Sequence, residues 1–271
     1  MLFDCELQKR IVLHGLSEQQ IKDIQSNMNG IKRMTFGYCP VCEKETIFLA
    51  REYGLRDHYR CIRCGCIPRN RAIIKILQSL RPNWRTLTIH ESSPTHGYIS
   101  EKFKSECDNY TFSYYDEKNE LGEMYKNDKR YSNQNLEEMT FENNSFDVFI
   151  TSDVFEHILN PWKAFNEINR VLRHNGIHIF TTPLYPFIRT RSRIRITDKE
   201  VVNVLPPIYH GNPISQKGSL VTYDWGGDIV EKIYKNSGMK SEIYQFQCTE
   251  ENYKMGLEGD FLFVIVSWKS R

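Results

Sequence analysis

The sequence predicts an α/β protein in which a mostly parallel sheet follows a small cysteine-rich module. Its clearest signal is the run Phe146–Thr151, FDVFIT, which is almost entirely apolar and therefore typical of a strand buried on both faces of a parallel sheet. A helical pattern over 160–172 and a second apolar run, Ile177–Thr182, follow it. Strand, helix and strand in this order predict one right-handed crossover unit. Two close pairs of cysteines precede this region and predict the module.

Size and composition narrow the class of protein. A chain of 271 residues with 40% hydrophobic content is expected to form one large domain and a small appendage. The formal charge of +2 argues against a dedicated nucleic-acid surface. The start, Met-Leu-Phe-Asp-Cys-Glu, lacks the basic and apolar segments of a signal peptide, and no apolar run reaches the roughly eighteen residues of a membrane span. We therefore expect a cytoplasmic protein whose eight cysteines bind metal rather than form disulfides.

The paired cysteines predict a metal site. Cys39 and Cys42 form the first pair, Cys61 and Cys64 the second, and eighteen residues separate the pairs. Each short turn can present two thiolates to one ion, and the intervening hairpin brings the pairs together, so the spacing predicts a structural zinc ribbon. A relic ribbon with four reduced cysteines is the alternative. Cys66 is a fifth candidate ligand, and the spacing leaves its participation open.

The other elements follow in chain order. An N-terminal helical arm is predicted over 1–30, either packed on the main domain or used for dimerisation, then the ribbon over 31–67 and the large domain over 68–271, with an insertion at about 184–223. The helix after Phe146–Thr151 is predicted to begin at the N-cap Asn160 and to stop at Asn175-Gly176. The remaining predicted elements are strands Thr46–Ala50 and His58–Arg60, helix Pro68–Leu80, strands Thr86–Ile89 and Tyr110–Tyr115, a polar loop with a short helix over 117–133, a β-hairpin over 191–205, a helix opened by Tyr223–Gly226 that runs over 228–236, and strands over 242–248 and 261–268.

Four fragments in a fixed order carry a family resemblance. They are Asn135–Phe141, Phe146-Asp147, Glu156-His157 and the turn Val171–Gly176. With them the chain resembles the class I S-adenosylmethionine (SAM) dependent methyltransferases, in particular a subset with a cysteine-rich N-terminal segment. The resemblance implies a Rossmann-like, seven-stranded, mostly parallel sheet and a transferase that uses SAM. The run over 206–213, PPIYHGNP, is part of the resemblance to that subset.

The resemblance also implies a cofactor site, with one departure. The family's first turn is glycine-rich, whereas this chain reads HESSPTHG over 90–97 and keeps only Gly97. Glu91 stands in for the usual acid, either toward the amino-acid end of SAM or at a helix start. Asp116 and Asn135 are each candidates for the cofactor or plain turn residues. The implied cofactor-binding residues are Glu91, Ser92, Ser93, Asp116, Asn135, Leu136, Ser152 and Asp153.

The insertion is the predicted acceptor side. Arg191, Arg193 and Arg195 alternate along the predicted hairpin, so they are expected to share one face and, with Tyr223, to bind phosphate or carboxylate groups of a substrate. A solvated edge hairpin is the alternative. His210 is the first candidate for a catalytic base, followed by Tyr209 and His157. In many relatives the residues matching His157 mainly shape a helix start, and that interpretation stays open.

The predicted function is methyl transfer from SAM to a small polar acceptor, for example a sugar, a nucleotide-sugar or a phosphorylated metabolite of surface-polysaccharide synthesis, with O-methylation favoured. One alternative is an RNA methyltransferase with a zinc module, which the near-neutral charge disfavours. The other is a non-catalytic, methyltransferase-like binding protein, suggested by the altered first turn. The sequence leaves the oligomeric state open.

Overall fold

The computed structural model describes residues 15–19, 21–22, 30–94, 98–126, 130–198, 200–212, 217–246, 249–257 and 262–269. The predicted N-terminal arm lies mostly outside the described residues, as does the end of the predicted first turn at 95–97. The helices are α1 Leu55–His58, α2 Pro68–Leu80, α3 Ile99–Glu106, α4 Pro161–Val171, α5 Ile229–Ser237 and α6 Glu250–Lys254, and 3₁₀ turns span Trp84–Thr86 and Phe155–His157.

The strands form a small N-terminal sheet, a large central sheet and several small sheets of two or three short strands in and around the insertion. In chain order they are β1 Arg33–Cys39, β2 Lys44–Ala50, β3 Arg60–Cys61, β4 Thr88–Ser92, β5 Asn109–Tyr114, β6 Met124–Lys126, β7 Arg130–Asn133, β8 Phe146–Ser152, β9 Leu172–Thr181, β10 Leu184–Tyr185, β11 Arg191–Ser192, β12 Ile194–Ile196, β13 Val201–Asn203, β14 Tyr209–His210, β15 Ser219–Leu220, β16 Tyr223–Gly226, β17 Lys240–Gln245 and β18 Phe263–Trp268.

The chain divides into two compact units. One, the cysteine unit, comprises residues 1–76, 97–102 and 246–262, and the other, the sheet unit, comprises 77–96, 103–245 and 263–271. The boundaries predicted from sequence, 1–30, 31–67 and 68–271, stay a prediction. No helix in the described part of the chain is both long and apolar enough to cross a membrane.

The cysteine unit is built on an antiparallel sheet with the strand order β1-β2-β3. The β1–β2 hairpin closes where Cys39 pairs with Lys44, so its tight turn holds the first cysteine pair. Strand β3 returns the chain so that Cys61 faces Phe48 of β2. The predicted ribbon hairpin is therefore present, although His58 belongs to the short helix α1 rather than to a strand.

The sheet unit contains an eight-stranded sheet with the order β17-β18-β9-β8-β4-β5-β7-β6. The five central strands β7, β5, β4, β8 and β9 run parallel, whereas β18 and β17 close one edge in antiparallel fashion. The predicted α/β class and mostly parallel sheet are confirmed. The eighth strand, β6, pairs with β7 in a region predicted to be a polar loop with a short helix.

The crossover unit from β8 through α4 to β9 matches the sequence pattern at its start. Asn160 caps α4, its Oδ1 accepting from the amide of Lys163 at 3.3 Å, and Pro161 occupies the first turn. The predicted stop at Asn175-Gly176 is wrong, because α4 ends at Val171 and the chain enters β9 directly. Asn175, with φ of 62°, lies inside β9, where the pairing with β8 shifts register. The apolar face of α4 packs into the core of the sheet unit beside Phe149 and Trp225.

Two further predictions need correction. The first central strand begins at Thr88 rather than Thr86, because the preceding 3₁₀ turn includes Thr86. As a result Glu91 and Ser92 belong to β4 and not to the turn after it. The segment Tyr223–Gly226 does not open a helix but forms β16, which pairs with β10 and β11. Helix α5 starts later and ends, as predicted, at Gly238, whose φ is 73°.

Candidate functional site

The carboxyl ends of β8 and β9 meet at one edge of the sheet. The amide of Asp153 donates to the carbonyl of Thr181 at 2.9 Å, and the Thr181 hydroxyl donates to Asp153 Oδ1 at 2.8 Å. Ser152 Oγ lies 3.3 Å from the same hydroxyl. Asp153 has a φ of 53°, so the chain turns sharply there instead of extending β8. Ser152 and Asp153, both predicted site residues, are therefore held together at the edge where ligands of parallel sheets bind.

The turn after β4 starts with serine rather than glycine. Ser93 adopts a φ of 55°, in the left-handed region that favours glycine. Its amide donates to the carbonyl of Ser113 at 2.8 Å, which extends the pairing with β5 by one residue beyond Ser92. Pro94 follows, and its carbonyl accepts from the hydroxyl of Tyr114 at 2.8 Å. Burial raises the pKa of Tyr114 to about 12, so this hydroxyl keeps its proton.

Glu91 is buried inside β4, only 2% exposed. Its Oε2 accepts a hydrogen bond of 2.6 Å from the hydroxyl of Tyr110 on β5. The expectation that Glu91 lies in the turn or starts a helix is wrong, because the strand is displaced along the sequence by two residues. Its role toward a cofactor stays a prediction.

The loop after β5 is fixed by Asn133 at the end of β7. Its Oδ1 accepts from the amide of Asp116 at 2.8 Å, and its Nδ2 donates to the carbonyls of Asp116 and Asn119 at 3.1 and 2.9 Å. Asp116 itself forms an Asx turn, with Oδ1 accepting from the amide of Lys118 at 3.0 Å. One carboxylate oxygen of Asp116 is therefore engaged in a hydrogen bond within the turn. Sequence reasoning missed Asn133, whose only signal is an amide side chain at the end of a short polar strand.

Asn135 and Leu136 lie on the next loop. The Oδ1 of Asn135 accepts from the amide of Glu137 at 2.9 Å, which is again an Asx turn, and Leu136 packs into the hydrophobic core. Helix α4 anchors this loop, because Glu167 accepts from the amide of Met139 at 2.8 Å. Arg170 donates to Glu167 and to three groups of the loop, the carbonyls of Met139 and Phe141 and the side chain of Asn143. The hydrogen bond from Arg170 holds the pKa of Glu167 below its usual value.

The 3₁₀ turn after β8, Phe155–His157, carries a second set of polar side chains, Glu156 and His157. Glu156 is 1% exposed, and its Oε2 accepts from the hydroxyl of Thr182 at 3.0 Å. Its Oε1 lies 3.8 Å from Nε2 of His157 and 3.8 Å from Nδ1 of His210. The two imidazole rings are perpendicular, with centroids 5.1 Å apart. Tyr209, next to His210, is 58% exposed. The structure therefore brings two of the predicted catalytic residues together around a carboxylate.

The three arginines of the insertion occupy different environments. The guanidinium of Arg193 is buried and pairs with Asp224, and Arg191 also donates to Asp224, at 2.8 Å. Arg195 is exposed on β12, and Tyr223 stacks on Trp225 with centroids 5.2 Å apart. The expectation that all three arginines share one exposed face is wrong, because the chain bends at Arg193 and its side chain is buried against Asp224. Their role toward a substrate stays a prediction.

The four predicted zinc ligands converge in the cysteine unit. The sulfurs of Cys39, Cys42, Cys61 and Cys64 all lie within 4.8 Å of one another. The Cys39–Cys64 and Cys42–Cys61 sulfur distances are 3.8 and 3.9 Å. With Zn–S bonds of about 2.3 Å, two sulfurs on one tetrahedral ion lie about 3.8 Å apart. The cluster therefore has the donors and the size of a zinc-binding segment.

Two residues border this cluster. Cys66 Sγ lies 3.4 Å from Cys39 Sγ. Arg71 is fully buried and donates through Nη1 to the Cys66 carbonyl at 2.6 Å and through Nη2 to the carbonyls of Tyr59 and Gly256 at 2.8 and 2.7 Å. Arg71 Nη1 also lies 3.5 Å from the sulfur of Cys66, so a buried positive charge contacts the fifth cysteine beside the cluster. The sequence did not predict the burial of Arg71. This residue is near the start of the helical run PRNRAIIKIL, where polar side chains are usually solvated.

Part of the chain is similar to known methyltransferases. Residues 95–180 match the model of a family described as a methyltransferase domain. No curated protein matches the sequence. Among solved structures, the chain is similar to a SAM-dependent methyltransferase from Mesorhizobium loti, with 15% identity over 73% of this chain and 98% of that chain and a TM-score of 0.49.

Two other solved structures are of methyltransferases with named acceptors. One is the 1,6-didemethyltoxoflavin-N1-methyltransferase of Burkholderia thailandensis, with 11% identity over 75% of this chain and 79% of that chain and a TM-score of 0.45. The other is CalS10, an amino pentose methyltransferase from Micromonospora echinaspora, with 9% identity over 74% of this chain and 90% of that chain and a TM-score of 0.46. At these levels the likeness says nothing about the acceptor of this chain.

Proposed function

We propose that this chain carries a class I SAM-dependent methyltransferase domain and that it transfers the methyl group of SAM to a hydroxyl of a small polar acceptor. The family supports SAM as the cofactor. The order of the parallel strands with the antiparallel pair β18–β17 at one edge supports the same fold independently of any motif.

The observation that carries the proposal is that two groups of polar residues, Ser152–Asp153 and Glu156–His157, lie close together in the sequence at and after the end of β8. Ser152 and Asp153 lie at the carboxyl edge, and only two residues separate Asp153 from Glu156, which His157 follows directly. A cofactor bound at that edge and an acceptor near Glu156 would thus contact the same short segment. Methyl transfer requires the acceptor oxygen, the methyl carbon and the sulfonium sulfur to lie in line, so the short distance along the chain between the two binding groups supports this chemistry.

The cofactor residues in this proposal are those predicted from sequence. Ser92, Ser93 and Asp153 would contact SAM from the edge of β4 and β8, and the others complete the set: Glu91, Asp116, Asn135, Leu136 and Ser152. Backbone groups of the Asn135–Leu136 turn are well suited to the adenine, because α4 holds this loop in place. The sulfonium is a good leaving group, so the protein mainly has to orient the two substrates and remove the hydroxyl proton.

The acceptor in this proposal is a carbohydrate or a phosphorylated metabolite. The residues proposed to remove the proton from the acceptor hydroxyl are His210, Tyr209 and His157. The side chain of His210 is 42% exposed, which suits contact with a substrate. Arg195 and the outer part of Arg191 supply positive charge for an anionic group, whereas Arg193 is engaged by Asp224. Tyr223 lies opposite Ser192 in the β11–β16 pair, one position from the pair of Arg191 with Asp224.

We also propose that the four-cysteine cluster binds one structural zinc ion. Four thiolates form a closed tetrahedral set with no position for a substrate, so the ion would stabilise the cysteine unit and take no part in the reaction.

Calorimetric titration with SAM, followed by incubation with methyl-labelled SAM and a cell extract, tests this function. We expect micromolar binding of SAM, label in small polar compounds, and loss of both in an Asp153→Ala variant. His174→Ala, in an exposed part of β9, is the matched control and should behave like the wild type. A protein that binds no SAM contradicts the proposed activity, and label that ribonuclease releases contradicts the small acceptor.

A further inference from the structure

The carboxylate of Glu156 is buried with one oxygen unpaired. Its side chain is 1% exposed, Oε2 is paired with Thr182, and Oε1 has no hydrogen-bond partner among the residues that the structure describes. Burying an ionised carboxylate is costly unless a positive charge or several donors compensate it. Oε1 therefore points to a missing cationic partner.

Two imidazole nitrogens face this oxygen, each at 3.8 Å, which is too long for a hydrogen bond. The opposite nitrogen of His157, Nδ1, lies 2.9 Å from the carbonyl of Leu220. A carbonyl only accepts, so Nδ1 carries the proton, and the Nε2 of a neutral ring directs its lone pair toward Glu156. This arrangement is the one that metal-bound histidines adopt, with the outer nitrogen donating to a carbonyl or carboxylate.

We propose that Glu156 Oε1, His157 Nε2 and His210 Nδ1 bind one divalent metal ion. One ligand atom from each of the three residues lies within 4.8 Å of the other two, and each of these nitrogens is 3.8 Å from Oε1. With metal–ligand bonds of about 2.1 Å, two ligands on one ion are about 3.0 Å apart at a right angle and about 4.2 Å apart when opposite, and 3.8 Å falls between these values. The Thr182 hydroxyl orients the carboxylate from outside.

Two imidazoles and one carboxylate bind manganese, iron(II) or zinc, and three protein ligands leave coordination positions open. The open positions give the site a role that rests on the proposed methyl transfer. The ion binds the acceptor hydroxyl and a neighbouring oxygen of the same molecule, as in a vicinal diol, and lowers the hydroxyl pKa. The proton leaves to water, the oxygen attacks the methyl carbon, the carbon–sulfur bond breaks, and the sulfur keeps the electron pair as a thioether. His157 and His210 then act as ligands rather than as bases.

Metal binding can be measured without any turnover. The full-length protein is treated with chelator, given one equivalent of zinc to fill the thiolate cluster, and titrated with Mn²⁺, because thiolates select zinc while carboxylates and imidazoles also accept manganese. We expect one Mn²⁺ per chain by electron paramagnetic resonance. Glu156→Gln and His210→Ala should weaken binding at least tenfold, Thr182→Ala about tenfold, and His174→Ala not at all.

Zinc content provides a second measurement. Wild-type protein dialysed against excess zinc should hold one equivalent of zinc more than the Glu156→Gln variant. If substitution of the buried Glu156 unfolds the chain, the His210→Ala variant replaces it in this comparison, because His210 lies on the exposed strand β14. The inference is overturned if neither metal shows a site that depends on Glu156 or His210. Metal binding without SAM binding would support the site and contradict the proposed methyl transfer. Methyl transfer that chelation leaves unchanged would return His210 to the role of a direct base.

Discussion

The Nη1 atom of Arg193 lies 2.9 Å from each carboxylate oxygen of Asp224. Both side chains are about nine-tenths buried, so this ion pair ties the bend between β11 and β12 to β16. Asp224→Asn leaves the Arg193 charge buried without a counterion, and we expect a loss of about 3–5 kcal/mol in the free energy of unfolding. Arg191→Ala, which removes the more exposed partner of the same carboxylate, should cost at most about 1 kcal/mol. Urea unfolding measures both, and equal losses would contradict the distinction.

Arg170 and Glu167 form the second ion pair with a structural consequence. Arg170→Ala removes the bonds to the Met139 and Phe141 carbonyls and should lower the free energy of unfolding by about 1–2 kcal/mol, a modest value because the pair is partly solvated. The pKa of Glu167 is lowered in the folded state, so its contribution is full above the ordinary carboxyl pKa and disappears as the pH falls through the lowered value.

Chemical unfolding at pH 7 and at pH 3 checks this prediction. The difference between wild type and Arg170→Ala should shrink at the lower pH. Lys235→Ala, which breaks the exposed pair with Glu231 on α5, is the control and should leave stability unchanged at both values. A difference that grows on acidification would contradict the assigned direction of the Glu167 shift.

Two histidines are buried within the central sheet and should make the protein sensitive to acid. His90 and His178 are fully buried, and burial lowers the pKa of each to about 3. The folded state therefore binds fewer protons than the unfolded state between pH 6.5 and about 3. Stability is full above pH 6.5 and falls as the pH drops through this interval, by up to about 5 kcal/mol for each histidine.

Substitution of one of these histidines isolates its contribution. His178→Phe keeps the stacking on Phe180 but removes the titrating ring and the bond to Thr151, so we expect a loss of about 1 kcal/mol at pH 7 and a shallower decline toward pH 4. Thermal unfolding across this pH range measures the slope. His174→Ala, an exposed histidine on β9, should keep the wild-type slope.

The cysteine cluster predicts a defined change in metal content. Cys39→Ser or Cys61→Ser should reduce bound zinc by one equivalent relative to the wild type, because three thiolates hold the ion more weakly. Cys107→Ser is the matched control, since this buried cysteine of the sheet unit contacts the Leu87 carbonyl and lies outside the cluster. Elemental analysis after dialysis measures the content. Unchanged zinc in both cluster variants would refute the site.

Local sequence signals predicted the crossover unit well because its causes are local. The apolar run of β8 and the Asn160–Pro161 cap each act within a few residues, and the structure reproduces both. The segment Tyr223–Gly226 was predicted to open a helix and instead forms a strand. Its pairing partners, β10 and β11, lie more than thirty residues earlier in the chain, and short-range patterns do not reveal such pairs.

The candidate site divides in the same way. The turn at Ser152–Asp153 follows from the strand that precedes it, so its position at the sheet edge was predictable. Glu156 and His157 were visible as neighbours in sequence, but His210 joins them only because the insertion folds back over fifty-three residues. Likewise, Arg193 could not be distinguished from Arg195 by alternation alone, since the buried position of Asp224 decides which arginine turns inward.

Arg71 also has a bearing on how the protein is made. One of its three carbonyl acceptors, that of Gly256, lies 185 residues further along the chain. A ribosome synthesises the cysteine ribbon early and the 246–262 segment much later. During that interval the cysteines of the cluster and the neighbouring Cys66 are already synthesised, whereas one hydrogen-bond acceptor of Arg71 is not. Until Gly256 is synthesised, the buried guanidinium of Arg71 lacks one of its three carbonyl acceptors, so this part of the cysteine unit completes its hydrogen bonding only late in synthesis.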